Sequence, residues 1–231
     1  MRPDPPAGAP ASLHVRHDGV VRDLEDDWAV TVRAAGATAD ADDVGAAGAA
    51  LLTPWRAPER RYHDAEHLAE VLDGVDALAS FARDEAAVRL AAWFHDAVYE
   101  GRPGDDEQRS ADLAVEVLTG LGVPADRVGQ VRRLVLLTAA HDPAPGDDDG
   151  AVLSDADLAI LASPPERYGR YVRAVREEYP HVPEELFRAG RAMVLKALDA
   201  APRLYRTEAA RERWEDAARA NLARELTALE T

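Results

Sequence analysis

An adjacent histidine and aspartate, His95 and Asp96, stand at the end of an apolar run in the middle of the chain. The run covers 86–94 and consists mainly of Ala, Val, Leu, Trp and Phe, so it predicts a buried helix. Burying an unpaired charge is costly, so two ionisable side chains at this place need a partner. A divalent metal ion would be such a partner, because imidazole nitrogen and carboxylate oxygen are both good ligands for it.

Further candidates lie on either side of this pair. His63 and His67 are four residues apart, so on a helix they share one face. Downstream, Asp155 and Asp157 interrupt the apolar segment 152–161. Asp155 could cap a helix, whereas Asp157 lies inside the apolar run, where its carboxylate needs a partner. Four ligand candidates therefore stand on three predicted helices: His67, His95, Asp96 and Asp157.

The elements that must position these residues are all predicted to be helical. Apolar residues recur at a spacing of three to four, and no alternating strand pattern of useful length occurs. We predict an all-α fold of about eight or nine helices. Their approximate ranges are 20–35, 40–52, 63–78, 84–99, 107–121, 124–141, 164–179, 184–198 and 207–229. The acidic, Pro/Gly-rich stretch 142–150 is predicted to be a solvated loop.

Length and composition indicate one globular domain. The chain has 231 residues, of which 47% are hydrophobic, which is enough for a full core. Residues 1–17 are predicted to be a disordered tail, because the first twelve are rich in Pro, Ala and Gly. Residues 18–231 are predicted to form a single helical domain with a C-terminal helical extension. The chain indicates nothing about its oligomeric state.

Charge and cysteine content exclude several classes of partner. The formal net charge is −16, which argues against non-specific nucleic-acid binding and favours metal cations. No cysteine is present, so disulfides and thiolate metal sites are excluded, and a cytoplasmic location is expected. No apolar stretch is long enough to cross a membrane, and the N-terminus lacks the apolar centre of a signal peptide.

The motifs around these candidates resemble those of the HD superfamily of metal-dependent phosphohydrolases. The segment 61–67, Arg-Tyr-His-Asp-Ala-Glu-His, is similar to the opening Tyr-His-x-x-x-His of that family. The segment 93–99, Trp-Phe-His-Asp-Ala-Val-Tyr, and the later 107–111, Glu-Gln-Arg-Ser-Ala, resemble a bacterial subgroup of predicted phosphohydrolases. Asp-Ala-Asp-Leu at 155–158 resembles its last ligand motif. The similarity extends from about residue 20 to 229 and implies an HD-domain-like helical bundle.

The resemblance also implies roles for individual residues. His67, His95, Asp96 and Asp157 would hold one divalent ion, which could be Mn, Fe, Co, Ni, Mg or Zn. Asp157 fits the last motif better than Asp155, although both remain open. His63 would be a proton donor or substrate contact, and His141 would meet phosphate or a second metal. Asp96 would help to position the nucleophile, and Glu107 would hydrogen-bond a ligand or a water on the metal.

The implied reaction is hydrolysis of a small phosphomonoester or nucleotide by a metal-activated water. A phosphate substrate must also be bound by cationic side chains. Arg176 and Arg191 are the candidates, because arginine holds phosphate through two parallel hydrogen bonds. The alternative for these arginines is surface ion pairing, with partners such as Glu177, Glu178 and Glu184.

Three other functions remain open. The first is a non-catalytic regulatory module that binds a metal or a nucleotide on the same fold. The second is a structural helical protein in which the histidines and aspartates pair with each other. The third, within the enzyme class, is a guanosine tetraphosphate hydrolase or a cyclic-nucleotide esterase. No additional sequence feature supports either of them.

Overall fold

The computed structural model describes residues 15–17, 20–102 and 104–230. A small antiparallel hairpin of β1 (Val15–His17) and β2 (Val20–Arg22) precedes the helices. The helices are α1 (Leu24–Ala34), α2 (Ala41–Trp55), α3 (Ala65–Leu78), α4 (Glu85–Phe94), α5 (Asp105–Gly120), α6 (Ala125–Leu137), α7 (Asp148–Asp157), α8 (Pro165–Glu178), α9 (Glu184–Ala200) and α10 (Glu208–Glu230). Short 3-10 helices follow α3 (Ala79–Phe81) and α7 (Leu158–Ala162). The predicted all-α class is confirmed.

The described part of the chain has ten α-helices, whereas eight or nine were predicted. The additional helix is α7, which begins inside the stretch 142–150 that was predicted to be a solvated loop. Its start is set by Asp147, whose carboxylate accepts the backbone N–H of Gly150 at 3.1 Å. Consecutive aspartates thus cap and begin a helix here, because a carboxylate satisfies otherwise unpaired N–H groups of the first turn.

Aspartate caps also fix the helix that carries His67. Asp64 precedes α3, and its Oδ1 accepts the backbone N–H groups of Glu66 and His67 at 2.9 and 3.2 Å. Such a cap contributes about 1 kcal/mol to helix stability. Further helices begin in the same way, with Asp23, Asp40 and Asp84 at their N-caps. The cap places His67 in the first turn of α3.

Three tryptophans form the centre of the core beneath α4. Trp28, Trp55 and Trp93 are at most 1% exposed. The rings of Trp28 and Trp93 meet edge to face with centroids 5.3 Å apart, and the indole N–H of Trp55 donates to the carbonyl of Trp93 at 3.3 Å. These contacts hold the last turn of α4, which leads directly to His95.

Helices α3 and α7 approach each other closely at Gly74 and Ala156. A Cβ atom placed on Gly74 would lie 3.0 Å from both Cα and Cβ of Ala156, which is closer than most Cβ atoms in proteins approach a neighbouring atom. Glycine therefore permits the close packing of the two helices. Asp157 follows Ala156 directly, and His67 lies two helical turns before Gly74, so this packing brings their elements together.

No helix in the described ranges is long and apolar enough to cross a lipid bilayer. Most of the predicted disordered tail, 1–17, falls outside the described residues. That tail and the single domain over 18–231 stay predictions.

Candidate metal centre

Two imidazole rings and two carboxylates converge between α3, the end of α4 and the end of α7. Nε2 of His67 lies 3.2 Å from Nε2 of His95 and 3.2 Å from Oδ1 of Asp157. Nε2 of His95 lies 3.2 Å from Oδ2 of Asp96, which is 3.7 Å from Nε2 of His67. The structure thus brings together all four residues that the sequence suggested as ligands.

The spacing of these atoms matches that of ligands around one ion. Nitrogen and oxygen ligands lie about 2.1 Å from a metal such as zinc, so neighbouring donors stand about 3.0 to 3.4 Å apart. Three of the spacings here are 3.2 Å, within this range, whereas His95 to Asp157 and His67 to Asp96 are longer, at 3.6 and 3.7 Å. One ligand atom each from His67, His95 and Asp157 lies within 4.8 Å of the others. This buried group could therefore hold a metal ion.

Local hydrogen bonding turns His95 toward the centre. Its helix ends at Phe94, five residues before the predicted end, so His95 is the C-terminal cap of α4 and Asp96 lies beyond it. Nδ1 of His95 lies 2.8 Å from the carbonyl oxygen of Ala92, which accepts the Nδ1–H. In the neutral ring, Nε2 is then the nitrogen without a proton, and it faces the cluster. Histidines that bind metals are commonly oriented by a carbonyl in this way.

The electrostatics of the cluster call for a cation. Burial works to lower the pKa of His95, but Asp96 and Asp157 outweigh it, so that this pKa is raised well above its ordinary value. Burial works to raise the pKa of both carboxyls, but charged His95 beside them holds both values low. Within the described residues, no arginine or lysine forms an ion pair with either aspartate. The positive charge must come from a proton on a histidine or from a metal ion.

The two aspartates of the last motif have different surroundings. The carboxylate of Asp155 accepts the backbone N–H groups of Arg206 and Thr207, both at 2.7 Å, and the residue is 0% exposed. It ties α7 to the start of α10. Asp157, two residues later, faces the histidines. Of the pair left open by the sequence, Asp157 is the one that lies in the cluster.

His141 lies beside Asp157. Its Nε2 is 3.4 Å from Oδ2 of Asp157, and its Nδ1 is 3.1 Å from the hydroxyl of Ser154. Helix α6 was predicted to extend to His141 but ends at Leu137. The chain then turns, and His141 has a φ of 49°, a left-handed conformation that is uncommon outside glycine. Burial lowers the pKa of its imidazole.

His63 stands at the edge of the cluster. Its ring centroid is 5.7 Å from that of His67, and its ring is stacked on Tyr99 at 3.9 Å. Nδ1 of His63 lies 2.6 Å from Oε2 of Glu178. His63 is therefore close enough to serve the site without being one of the four converging residues.

Glu107 has a different contact from the one expected. Its carboxylate accepts the backbone N–H of Gly104 at 2.5 Å and so caps the beginning of α5. Its negative charge acts to raise the pKa of His141, but burial outweighs this and the pKa is lowered. It makes no hydrogen bond to the four converging residues among those described, and its predicted role stays a prediction.

The two arginines expected to bind phosphate have protein partners. Arg176 forms an ion pair with Glu184 at 2.8 Å, which the sequence offered as the alternative. It also donates to the carbonyls of Tyr179 and Val182 at 2.6 and 3.1 Å. The described structure brings neither Arg176 nor Arg191 into contact with the cluster, so phosphate binding by them stays a prediction.

Arg191 belongs to a separate network in the C-terminal helices. Its guanidinium donates to both carboxylate oxygens of Glu225, at 2.7 and 3.1 Å, and to the hydroxyl of Tyr171 at 2.9 Å. Tyr168 donates to the same carboxylate at 2.5 Å. The side chains of Arg191 and Glu225 are largely buried. This network joins α8, α9 and α10.

Sequence reasoning missed two residues that join the motifs. The guanidinium of Arg60 donates to the carbonyls of His63 and Asp96 at 3.0 and 2.7 Å, and to that of Ala97 at 3.0 Å. It therefore links the first histidine motif to the His-Asp pair. Burial lowers its pKa. The other residue is Glu178, expected only as a surface partner of arginine, whose side chain is 3% exposed.

A groove of about 1100 Å³ adjoins the cluster at His67 and Asp157. Its lining includes none of His63, Asp96 and His141. Carboxylates outnumber arginines in this lining by seven to four. The lining of this groove is therefore acidic overall.

Fold and centre together define an all-helical protein with a buried His, His, Asp group suited to a metal ion. No protein-family model matches the chain, and no curated protein matches its sequence.

Proposed function

We propose that this protein is a metal-dependent phosphohydrolase that acts on a small phosphomonoester or nucleotide. The observation that carries the proposal is the convergence of His67, His95, Asp96 and Asp157, whose facing nitrogen and oxygen atoms lie 3.2 to 3.7 Å apart. The resemblance of their motifs to the HD superfamily supports the reaction class. On this proposal the ten helices form an HD-domain-like bundle.

The four residues would hold one divalent ion, with Mn, Fe, Co, Ni, Mg and Zn as the candidates. Their two carboxylates balance the charge of such an ion, while the imidazoles remain neutral. When bound, the ion lowers the pKa of a water molecule and stabilises negative charge on a phosphoryl oxygen.

The neighbouring histidines then have distinct tasks. His63 keeps a proton on Nδ1 toward Glu178, so Nε2 is the ring atom left to face a substrate, where it would first bind a proton and then release it to the leaving group. His141 contacts the carboxylate of Asp157 and keeps that side chain directed at the centre.

The test is hydrolysis of an aryl phosphate and of a nucleotide panel by metal-loaded protein. We expect turnover in the wild type and a loss of at least about 100-fold in His95→Ala and Asp96→Ala. His181→Ala is the matched control, because His181 is exposed in the turn between α8 and α9. Metal-loaded wild type that hydrolyses none of these phosphoesters would contradict the proposal.

Other outcomes would favour the alternatives. Tight nucleotide binding without turnover would indicate a regulatory module on the same fold. A melting temperature that responds to neither Mn nor a chelator, with no ion bound, would indicate that the histidines and aspartates pair only with each other.

A further inference from the structure

Glu178, the last residue of α8, is bound on both of its oxygens. Oε1 accepts three consecutive backbone N–H groups, from Arg61 and Tyr62 at 2.8 Å and from His63 at 3.0 Å. Oε2 lies 2.6 Å from Nδ1 of His63. One carboxylate thus holds both the backbone and the ring of the same histidine.

These contacts determine which ring nitrogen of His63 carries a proton. Burial works to raise the pKa of Glu178, but His63 and the backbone N–H groups outweigh it, and the pKa is lowered to about 2. The carboxylate is therefore ionised near neutral pH and can only accept hydrogen bonds. The contact at Oε2 consequently requires a proton on Nδ1 of His63, and in the neutral ring Nε2 is then an acceptor.

The face of the same ring is covered by Tyr99, which the residue after α8 contacts in turn. His63 stacks on Tyr99 with ring planes 24° apart. The hydroxyl of Tyr99 is 3.0 Å from that of Tyr179, which follows Glu178 directly. Arg176 braces this turn through the carbonyls of Tyr179 and Val182. The end of α8 therefore restrains His63 both in the plane of the ring and across it.

We propose that Glu178 is a positioning residue for His63, which holds the ring as the Nδ1–H tautomer with Nε2 directed to the substrate. The expected effect on turnover rests on the proposed phosphohydrolase function. The tautomer and its dependence on Glu178 do not.

The first measurement is the tautomer of His63, by long-range ¹H–¹⁵N correlation on ¹⁵N-histidine-labelled protein, with His63→Gln for assignment. We expect the Nδ1–H form in the wild type. In Glu178→Gln, the amide oxygen can still accept the backbone N–H groups while the amide NH₂ faces Nδ1. His63 should therefore switch to the Nε2–H form. The matched control, Glu177→Gln, changes an exposed neighbour and should keep the wild-type tautomer.

The second measurement is steady-state hydrolysis by the metal-loaded variants. We expect Glu178→Gln to lower kcat about 100-fold with little change in KM and with unchanged metal content, and Glu177→Gln to behave as wild type. An Nε2–H tautomer in the wild type would overturn the proposal, as would a Glu178→Gln variant that matches Glu177→Gln in both tautomer and kcat. If the wild type hydrolyses nothing, or the variant does not fold, the tautomer of His63 in the wild type tests the proposal: the Nδ1–H form supports it and the Nε2–H form overturns it.

Discussion

Two clusters of aspartates lie on α3 and its neighbours, and they differ in what balances their charge. In the first, Asp27, Asp73 and Asp76 surround Arg22 and Arg89. Arg22 bonds Asp73 at 2.7 Å and also Asp27 and Asp76, while Arg89 bonds Asp27 at 2.5 Å and also Asp76. In the second, the carboxylates of Asp96 and Asp157 have only histidines as ion-pair partners among the described residues. The first cluster carries its own cations.

The difference follows from the chemistry of the partners. Arginine stays charged at every physiological pH and donates up to five hydrogen bonds, so the first cluster is complete within the protein. Histidine is a cation only when protonated, and neutral imidazole is a metal ligand. The aspartates paired with arginine therefore indicate a structural ion-pair cluster, and the aspartates paired with histidine alone indicate a candidate metal site.

The largest effect on stability is expected in the arginine cluster. Asp27→Ala removes a carboxylate that contacts both arginines and leaves two mostly buried cations short of a partner. We expect it to lower the free energy of unfolding by about 3 kcal/mol in urea titrations, equally with Mn and with a chelator. Asp26→Ala, the exposed neighbour in α1, should change it by less than about 0.5 kcal/mol. If the loss of unfolding free energy in Asp27→Ala depended on metal, the two clusters would not differ in the way described.

The clusters should also differ in their response to pH. Because the pKa of His95 in the folded protein is raised above its ordinary 6.5, chelator-treated protein gains stability from this group below about pH 6.5. That gain is lost as pH rises through the raised value. Metal binding must displace the proton, so metal affinity should instead increase with pH. Unfolding free energies near pH 6 and pH 9, with Mn and with chelator, test this. Equal slopes in both conditions would count against the assignment.

A smaller effect is expected beside the cluster, at His141. His141→Asn tolerates the left-handed backbone, but its shorter side chain loses contact with Asp157. We expect about 10-fold weaker Mn binding by calorimetry, because residues that orient a ligand typically matter by 10- to 100-fold. His181→Asn serves as the control. Unchanged affinity in His141→Asn would remove His141 from the centre.

The smallest effect is expected from Thr31, whose hydroxyl accepts from Arg89 at 3.2 Å and contacts Asp27 at 3.4 Å. Thr31→Val keeps the volume and removes both hydrogen bonds. We expect a loss of about 1 kcal/mol in the free energy of unfolding, again independent of metal. A larger loss in the presence of Mn would link the two clusters.

Residue type and helical spacing predicted the all-α class and the ligand candidates, and the resemblance of their motifs to the HD superfamily implied that His67, His95, Asp96 and Asp157 share one site. Ionisable side chains that interrupt apolar runs must share partners, and this signal is readable without coordinates. The ends of the helices could not be predicted in this way. Helices α4 and α6 stop before His95 and His141, because hydrogen bonds of the following turns decide where each helix ends.

Glu178 was beyond sequence reasoning for a related reason. It follows Glu177 in a polar stretch, and local pattern cannot distinguish a buried carboxylate from an exposed one there. Its partners are more than 100 residues away. The same applies to Arg191, whose partner Glu225 lies on α10. Pairings across the fold are set by packing, which periodicity does not encode.

The most direct test of the central claim is the metal content of the purified protein after dialysis against Mn, measured by elemental analysis beside Asp157→Asn. We predict one tightly held ion per wild-type chain and none in the variant. A wild type that retains no more metal than Asp157→Asn would show that the His-Asp cluster is balanced by protons alone and would contradict the account.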